Sequence, residues 1–454
     1  MADGGTLQVN RNSRRKAGRP SRERRSVARP VEVFSGGSLT RFGGAGLLGR
    51  FVERLHVAER LVAVTVRVSV GRRYSVVDYL LALLLSAMLG LQRQVEWAAL
   101  RYDPVALQAL GLEGMPGQSS WSRFLANCGG WASHQVRRVN RALVGEVRKD
   151  LRTATVDLDA TVVSTRGNPE RANRGYNPKR KGSKCYVTLM GFLGETRDIL
   201  EARLRPGSEG TISAATAWAT FSEARQALPR SVRRVRSRAD SAFYSDAFLS
   251  ALEREKVVYF VAVPIWSSLQ RQVGGVEFRA LDDKWAIGEM EYRGAKSKVT
   301  RRMVVIREKL DPTDPQKKQL KLLDCPGYAY QFIVTNSGWG PVDVWHFYNR
   351  RCCLENIIKE SQRDFGGNHV LSHRYGGNAL WLALSVLAYN LWNWFRERVL
   401  NEHAHRHTVA YWRRRLIELP ARLVASGRHC WLKLGGNHPS QPLFERALVR
   451  LNAL

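Results

Sequence analysis

Apolar positions along the chain follow two periods, and the switch between them divides it. Over 40–150 they recur at helical spacing. The stretch 47–61 carries one apolar stripe, and 79–91 is apolar nearly all round, which predicts a buried core helix. Pro116 and Gly117 interrupt the pattern. Ser119 and Ser120 then offer caps for a helix that carries Trp121, Arg123, Phe124 and Leu125. Another helix is predicted over 136–147, with Arg137, Arg138, Arg141 and Arg148 along it.

From Ala154 the period becomes two. Thr155-Val156-Asp157-Leu158-Asp159 alternates, so Val156 and Leu158 share one face and the two aspartates share the other. Strands are predicted at 186–192 and 199–204, then a helix over 213–227 capped by Ser213. A fourth strand reaches Ala239, followed by a helix over 246–255 and a buried strand over 257–263. Asp159 falls at the end of the first strand and Asp240 at the end of the fourth. Strand-like runs return at 284–292, 302–309 and 328–335, punctuated by Gly274-Gly275 and Asp311-Pro312.

The stretch 344–365 reads as one amphipathic helix. Phe347, Leu354, Ile357 and Ile358 line one face, while Tyr348, Arg351, Glu355, Lys359 and Gln362 share another. That second face is cationic around a single carboxylate. It suits either a surface ion pair or an acid ligand for a metal beside a bound polyanion. Beyond 400, a short basic helix over 411–419 is stopped by Pro420, with a strand at 430–434 and a closing segment at 444–451.

Charge narrows the partners. The 454 residues hold 72 Lys+Arg against 40 Asp+Glu, a formal net charge of +32, which favours a polyanion. The longest apolar run is too short to span a bilayer, so no membrane partner is expected. No secretory leader is apparent. Six cysteines without CxxC spacing argue against a zinc site or a disulfide framework, and for a reducing compartment. Residues 1–30 are basic and poor in apolar side chains. Within them Arg15–Pro20 reads RKAGRP, which resembles an AT-hook with Arg19 entering an A·T minor groove; a generic cationic tail is the competing reading.

Several segments together resemble a known family. They are Asp159-Ala160-Thr161, Gly175-Tyr176-Asn177-Pro178-Lys179, Arg238-Ala239-Asp240-Ser241-Ala242-Phe243, and Tyr348-Asn349-Arg350-Arg351 with Glu355-Asn356-Ile357-Ile358-Lys359-Glu360. Ser372-His373-Arg374 and Ala388-Tyr389-Asn390-Leu391 extend the likeness. The chain resembles bacterial insertion-sequence transposases of the DDE type that carry a Y-(2)-R-(3)-E-(6)-K signature. It is most similar to the insertion-sequence thirteen-eighty family, which is related to the insertion-sequence four group.

The resemblance implies an α/β fold: an RNase H-like catalytic core interrupted by a β-rich insertion and preceded by a helical DNA-binding domain. The expected organisation is a basic disordered arm (1–39), a helical DNA-binding domain (40–150) and the first part of the core (151–263). A β-rich insertion (264–340), the second part of the core with the Glu355 helix (341–400) and a C-terminal segment with a role in dimerisation (401–454) follow.

It also implies a function: binding the ends of an insertion sequence, cleaving them by Mg²⁺-dependent phosphodiester hydrolysis and joining the 3′-OH ends to target DNA. Asp159, Asp240 and Glu355 would be catalytic and hold two Mg²⁺ ions, with Mn²⁺ as a substitute, about 3.5–4 Å apart. Asp157 points to the same face as Asp159 and is its rival. Tyr348 and Arg351 would hold DNA phosphates. Lys359 is added one turn on, and Arg123 joins the DNA-contacting set. Trp266, Trp285 and Trp339 are candidates for stacking on a flipped base, against core packing as the alternative. The last signature position is Gln362, not lysine. The partners implied are terminal inverted repeats and target DNA, with a homodimer in a synaptic complex and no small-molecule substrate. The implied location is the bacterial cytoplasm, at the nucleoid. A catalytically silent DNA-binding regulator and a metal-dependent structure-specific nuclease are the alternatives.

Overall fold

The computed structural model describes residues 38–66, 73–175, 177, 180–266, 269, 272–294, 299–310, 327–400, 402–427 and 429–454. Seven helices open it: α1 (Ala45–Arg54), α2 (Val57–Leu61), α3 (Val76–Leu89), α4 (Gln94–Leu100), α5 (Pro104–Ala109), α6 (Gln118–Asn127) and α7 (Gly130–Val147). The single helix expected over 47–61 is two, because His56 takes a left-handed φ of 50°, which a continuing helix does not accept. α3 is the buried helix expected from its apolar surface. Ser75 and Asp78 form a capping box at its start, and Gly90 (φ 84°) closes it in the left-handed conformation.

The sheet begins with β2 (Thr153–Ser164), which pairs antiparallel with β4 (Lys184–Leu193); β4 pairs antiparallel with β5 (Ile199–Pro206) and with the short β3 (Asn173–Arg174). On the other side of β2 lie β6 (Arg234–Ala239) and then β7 (Val258–Ala262), both parallel to it. The crossovers to these two parallel strands contain α8 (Ala214–Arg225) and α9 (Asp246–Arg254). Three antiparallel strands followed by two parallel ones is the RNase H-like order expected from the sequence.

The insertion prolongs this sheet. β11 (Tyr328–Thr335) pairs antiparallel with β7, and β10 (Arg301–Lys309), β9 (Trp285–Tyr292) and β8 (Arg279–Ala280) follow in antiparallel succession. A second, smaller sheet joins β1 (Leu39–Thr40) to the hairpin of β12 (Ala421–Ser426) and β13 (His429–Leu434).

The chain returns through α10 (Pro341–Asn349), a 3₁₀ turn (Arg350–Cys353), α11 (Leu354–Phe365) and α12 (Tyr375–Phe395), and ends in α14 (Gln441–Asn452) after the short α13 (Val409–Trp412). α12 is buried on every side, so it is the spine against which the helical layer and the sheet pack as one hydrophobic core. Asn390 on this helix bonds both the N–H and the C=O of Ile199 at 2.9 and 2.8 Å, satisfying the start of β5 from within the core.

Arg137, Arg138, Arg141 and Arg148 give the helical domain expected over 40–150 a basic face, which suits DNA binding. Arg141 instead donates to the buried Glu201 of β5 at 2.5 Å, and Arg137 pairs with Glu201 and Glu223. Arg148 pairs with Asp198 at 2.6 Å and with Glu397 at 2.8 Å. These cations bind the helical layer to the sheet; of the four, Arg138 is exposed.

Candidate active site

β2 and β6 run parallel in a register that sets Asp157 opposite Arg238 and Leu158 opposite Ala239. Residues two apart on a strand share a face. Asp159 therefore follows Asp157 along β2, and Asp240, just past β6, follows Arg238 on the neighbouring strand. The strand does not end at Asp159 as expected: β2 continues to Ser164, so Asp159 projects from mid-strand.

Asp240 caps the 3₁₀ turn Ser241–Phe243, its carboxylate accepting from the Ala242 N–H at 3.1 Å. The Asp159 carboxylate accepts from the Ala160 N–H at 2.7 Å. Between the two aspartates lies Arg351. One of its terminal nitrogens is 3.1 Å from Asp159 Oδ2 and 3.9 Å from Asp240 Oδ2, and donates to the Leu158 C=O at 3.0 Å. Burial raises both carboxyl pKa values and the Arg351 charge opposes the rise at each; at Asp159 the nearby Asp240 charge adds to it. Asp159 is pushed up to about 6. Arg351 is itself desolvated, yet the surrounding acids keep its pKa above the ordinary value. Tyr348 is buried beside it, and burial raises its phenol pKa.

Glu355 stands apart. Its side chain is 74% exposed and pairs with Lys359 at 3.3 Å, one turn along α11. The uninterrupted helix expected over 344–365 would put Tyr348, Arg351 and Glu355 on one face. The 3₁₀ turn Arg350–Cys353 breaks that alignment, so Arg351 turns inward while Glu355 faces solvent. Among the described residues, no three His, Cys, Asp or Glu side chains converge closely enough to hold a metal ion. The acid set nonetheless suits a hard cation. Two oxygen-donor side chains reach one Arg351 nitrogen, at 3.1 and 3.9 Å, and carboxylate oxygens are the donors such a cation takes.

Gln362, in place of the signature lysine, donates to Thr161 Oγ1 at 3.0 Å, joining α11 to β2 two residues beyond Asp159. Asp157, the rival for Asp159, is fully buried and bound at both oxygens by Arg238. That pair was not anticipated as a pair. Its signal was an arginine two residues before Asp240 and an aspartate two residues before Asp159.

The tryptophan candidates separate. Trp285 packs against Trp345 at 5.3 Å, and Trp339 packs between Phe260 and Phe347 with the Arg236 guanidinium 4.8 Å above it. Both lie against the smaller core cluster, as the packing alternative has it. Trp266 is 37% exposed and touches Tyr244 edge-on at 5.3 Å. Arg123 is exposed on α6. Arg19, and Tyr176, Pro178 and Lys179 of the family-like segment, lie outside the described residues.

A family model described as "Transposase DDE domain group 1" matches residues 24–454. No curated protein matches the sequence. Among solved structures, the piggyBac transposase synaptic complex with hairpin DNA is similar at 10% identity with a TM-score of 0.45, over 83% of this chain and 79% of that one. The Mos1 transposase paired-end complex with left transposon end is similar at 16% identity and a TM-score of 0.17, over 37% of this chain and 57% of that one. The Mos1 strand transfer complex stands at 17% identity and 0.17, over 38% and 58%. The chain thus matches over less than two thirds of each of these two Mos1 chains.

Proposed function

The chain belongs to the DDE transposase family, and from that premise we propose that it binds the ends of an insertion sequence, cleaves them and joins the freed 3′-OH ends to target DNA. One observation carries the reading: Asp159 on β2 and Asp240 just past the adjacent parallel β6, 81 residues apart in sequence, both approach the Arg351 guanidinium. Their neighbours fit the same role. Arg351 and Tyr348 line the approach to the pair, and Lys359 and Glu355 stand on the helix that leaves it.

In this reading Asp159 and Asp240 hold Mg²⁺, or Mn²⁺ in its place, and Glu355 completes the set when α11 turns toward them. When bound, the metal supplies activation of the attacking oxygen and stabilisation of the leaving one. The chain's own residues do the rest. Arg351 exchanges a carboxylate partner for a phosphate, which its forked guanidinium fits equally well. Lys359 adds a second positive charge beside the scissile strand. Arg123 on α6 contributes to end binding by the helical layer. DNA is the partner, with two copies of the chain acting on paired ends. Gln362 stands where the signature of the insertion-sequence group this chain resembles has lysine.

The test is incubation of the purified protein and Mg²⁺ with DNA carrying the element's flanking ends, with product mapping. Asp159→Asn, Asp240→Asn and Glu355→Gln should each abolish cleavage and leave DNA binding intact, because each removes a charge and keeps the shape. A fully active Asp159→Asn protein would remove the assignment. The exposed Glu355, away from the aspartates, favours one alternative, a silent DNA-binding regulator. That reading requires binding to ends with no cleavage under any divalent ion. Cleavage without joining would instead point to a structure-specific nuclease.

A further inference from the structure

Asp157 and Arg238 form a second row directly beneath the acid pair. They face one another in the β2–β6 register, two residues before Asp159 and Asp240 respectively. Arg238 Nε donates to Asp157 Oδ1 at 2.5 Å and Nη2 donates to Oδ2 at 2.6 Å, a bidentate fork between side chains that are 3% and 0% exposed. The remaining terminal nitrogen donates to the Phe347 C=O at 2.6 Å, and the guanidinium lies 4.7 Å over the Phe347 ring. Phe347 immediately precedes Tyr348 and stands four residues before Arg351. A single guanidinium therefore ties together the strand bearing Asp159, the strand leading to Asp240 and the helix that delivers Tyr348 and Arg351. The chain makes room for it. A Cβ at Gly194 would lie 2.7 Å from Arg238 Nη2 and 2.9 Å from Asp157 Oδ2.

We propose that the Asp157–Arg238 pair is the positioning element of the active site: it holds Asp159 and Asp240 in register and anchors α10 so that Arg351 reaches between them. The proposal rests on the reading of Asp159 and Asp240 as the metal-holding acids. A buried pair of this kind is weak evidence for stability, since apolar replacements of similar volume are often neutral or stabilising. Bidentate locking, full burial, a third bond to a different element and a glycine that leaves the space point instead to geometry.

The test separates positioning from folding. In the Asp157→Leu/Arg238→Met double variant both charges are gone and the volume is kept, so it should melt close to the wild-type protein. It should bind end DNA with an unchanged KM, lose about a hundredfold in kcat, as misplacement by an ångström does, and bind Mn²⁺ in its DNA complex roughly tenfold more weakly by electron paramagnetic resonance. A folded double variant with wild-type kcat and Mn²⁺ affinity overturns the proposal. Should that variant fail to fold, Arg238→Lys answers the same question. It keeps the cation but cannot hold both Asp157 oxygens and the Phe347 carbonyl, and wild-type turnover from it overturns the proposal equally. Asp159→Asn, run in parallel, distinguishes the two levels. If it remains active the underlying reading falls, whereas if it is dead while the double variant works, the positioning role alone falls.

Discussion

Arg351 stands 3.1 Å from the carboxylate of Asp159, on the strand face where a hard cation would be held. A guanidinium and a divalent ion cannot share that position. Without DNA, Arg351 should therefore compete with metal, and Arg351→Gln should bind Mn²⁺ more tightly than the wild-type protein. It should also lose end cleavage, because the phosphate contact goes with the cation. Titration with Mn²⁺ in the absence of DNA checks this. Equal affinities would mean that Arg351 and the metal do not meet.

Gln362 donates to Thr161 at 3.0 Å where the related signature has lysine. Gln362→Lys keeps a donor and adds a charge to α11 near Asp159. It should tighten end binding and steepen the log–log salt dependence by about 0.9 for one added phosphate contact. An unchanged slope would show that this position does not meet the backbone of DNA.

Glu201 is buried and neutralises both Arg137 and Arg141. Glu201→Leu leaves the buried Arg141 unpaired and the half-buried Arg137 with Glu223 alone, and should destabilise by about 3–5 kcal/mol. Arg141→Ala should likewise lower the melting temperature while leaving the salt slope of DNA binding unmoved. A fall in slope would return α7 to the DNA interface.

Arg301 at the start of β10 bonds Glu253 at 2.8 Å and Ser250 at 2.8 Å and pairs with Asp246, so it fastens the inserted strands to α9. Arg301→Ala should cost about 2–3 kcal/mol. Burial alone would raise the Glu253 pKa, but hydrogen bonds from Arg301 and Tyr259 bring it below its ordinary 4.5. A depressed folded pKa means the contribution is present above pH 4.5 and is lost as pH falls through the folded value. Denaturation of Glu253→Gln against wild type should thus show a gap at pH 7 that narrows below pH 4.

The basic arm is tested through affinity. Deletion of 1–30 should weaken DNA binding more at low salt than at high salt. If Arg19 enters the minor groove, Arg19→Ala should lose more on A·T-rich than on G·C-rich duplexes, since that groove distinguishes mainly these two classes. Equal losses would reduce the arm to a non-specific cationic tail.

Much of this architecture was legible before any coordinates. The alternation around Val156 and Leu158 marked β2, and the strand–helix order after it marked the parallel pair β6 and β7. Ser213 announced a helix start that the structure realises with a side-chain cap, whereas Ser119 and Ser120 fall inside α6, which Gly117 begins without a side-chain cap. These features are local, so a window of a few residues contains their cause. The inward pairing of Arg137, Arg141 and Arg148 was hidden for the opposite reason. Their partners Glu201, Asp198 and Glu397 lie 50 or more residues away in sequence, and nothing local tells an inward cation from an outward one.

Composition and periodicity therefore established on their own a basic α/β chain with a helical first third, an interrupted sheet and two aspartates on one strand face. The family-like motifs added a chemistry to those acids. The family-like Asp159-Ala160-Thr161 favoured Asp159, but periodicity could not separate it from Asp157, because the two have the same period and the same face. The β2–β6 register separates them: it sets Arg238 opposite Asp157, where the arginine takes both oxygens, and leaves Asp159 to Arg351. The inward turn of Arg351 has a similar origin. An ideal helix would have carried it outward with Glu355, and only the 3₁₀ turn, seated against the sheet, rotates one side chain into the acid pair and the other into solvent.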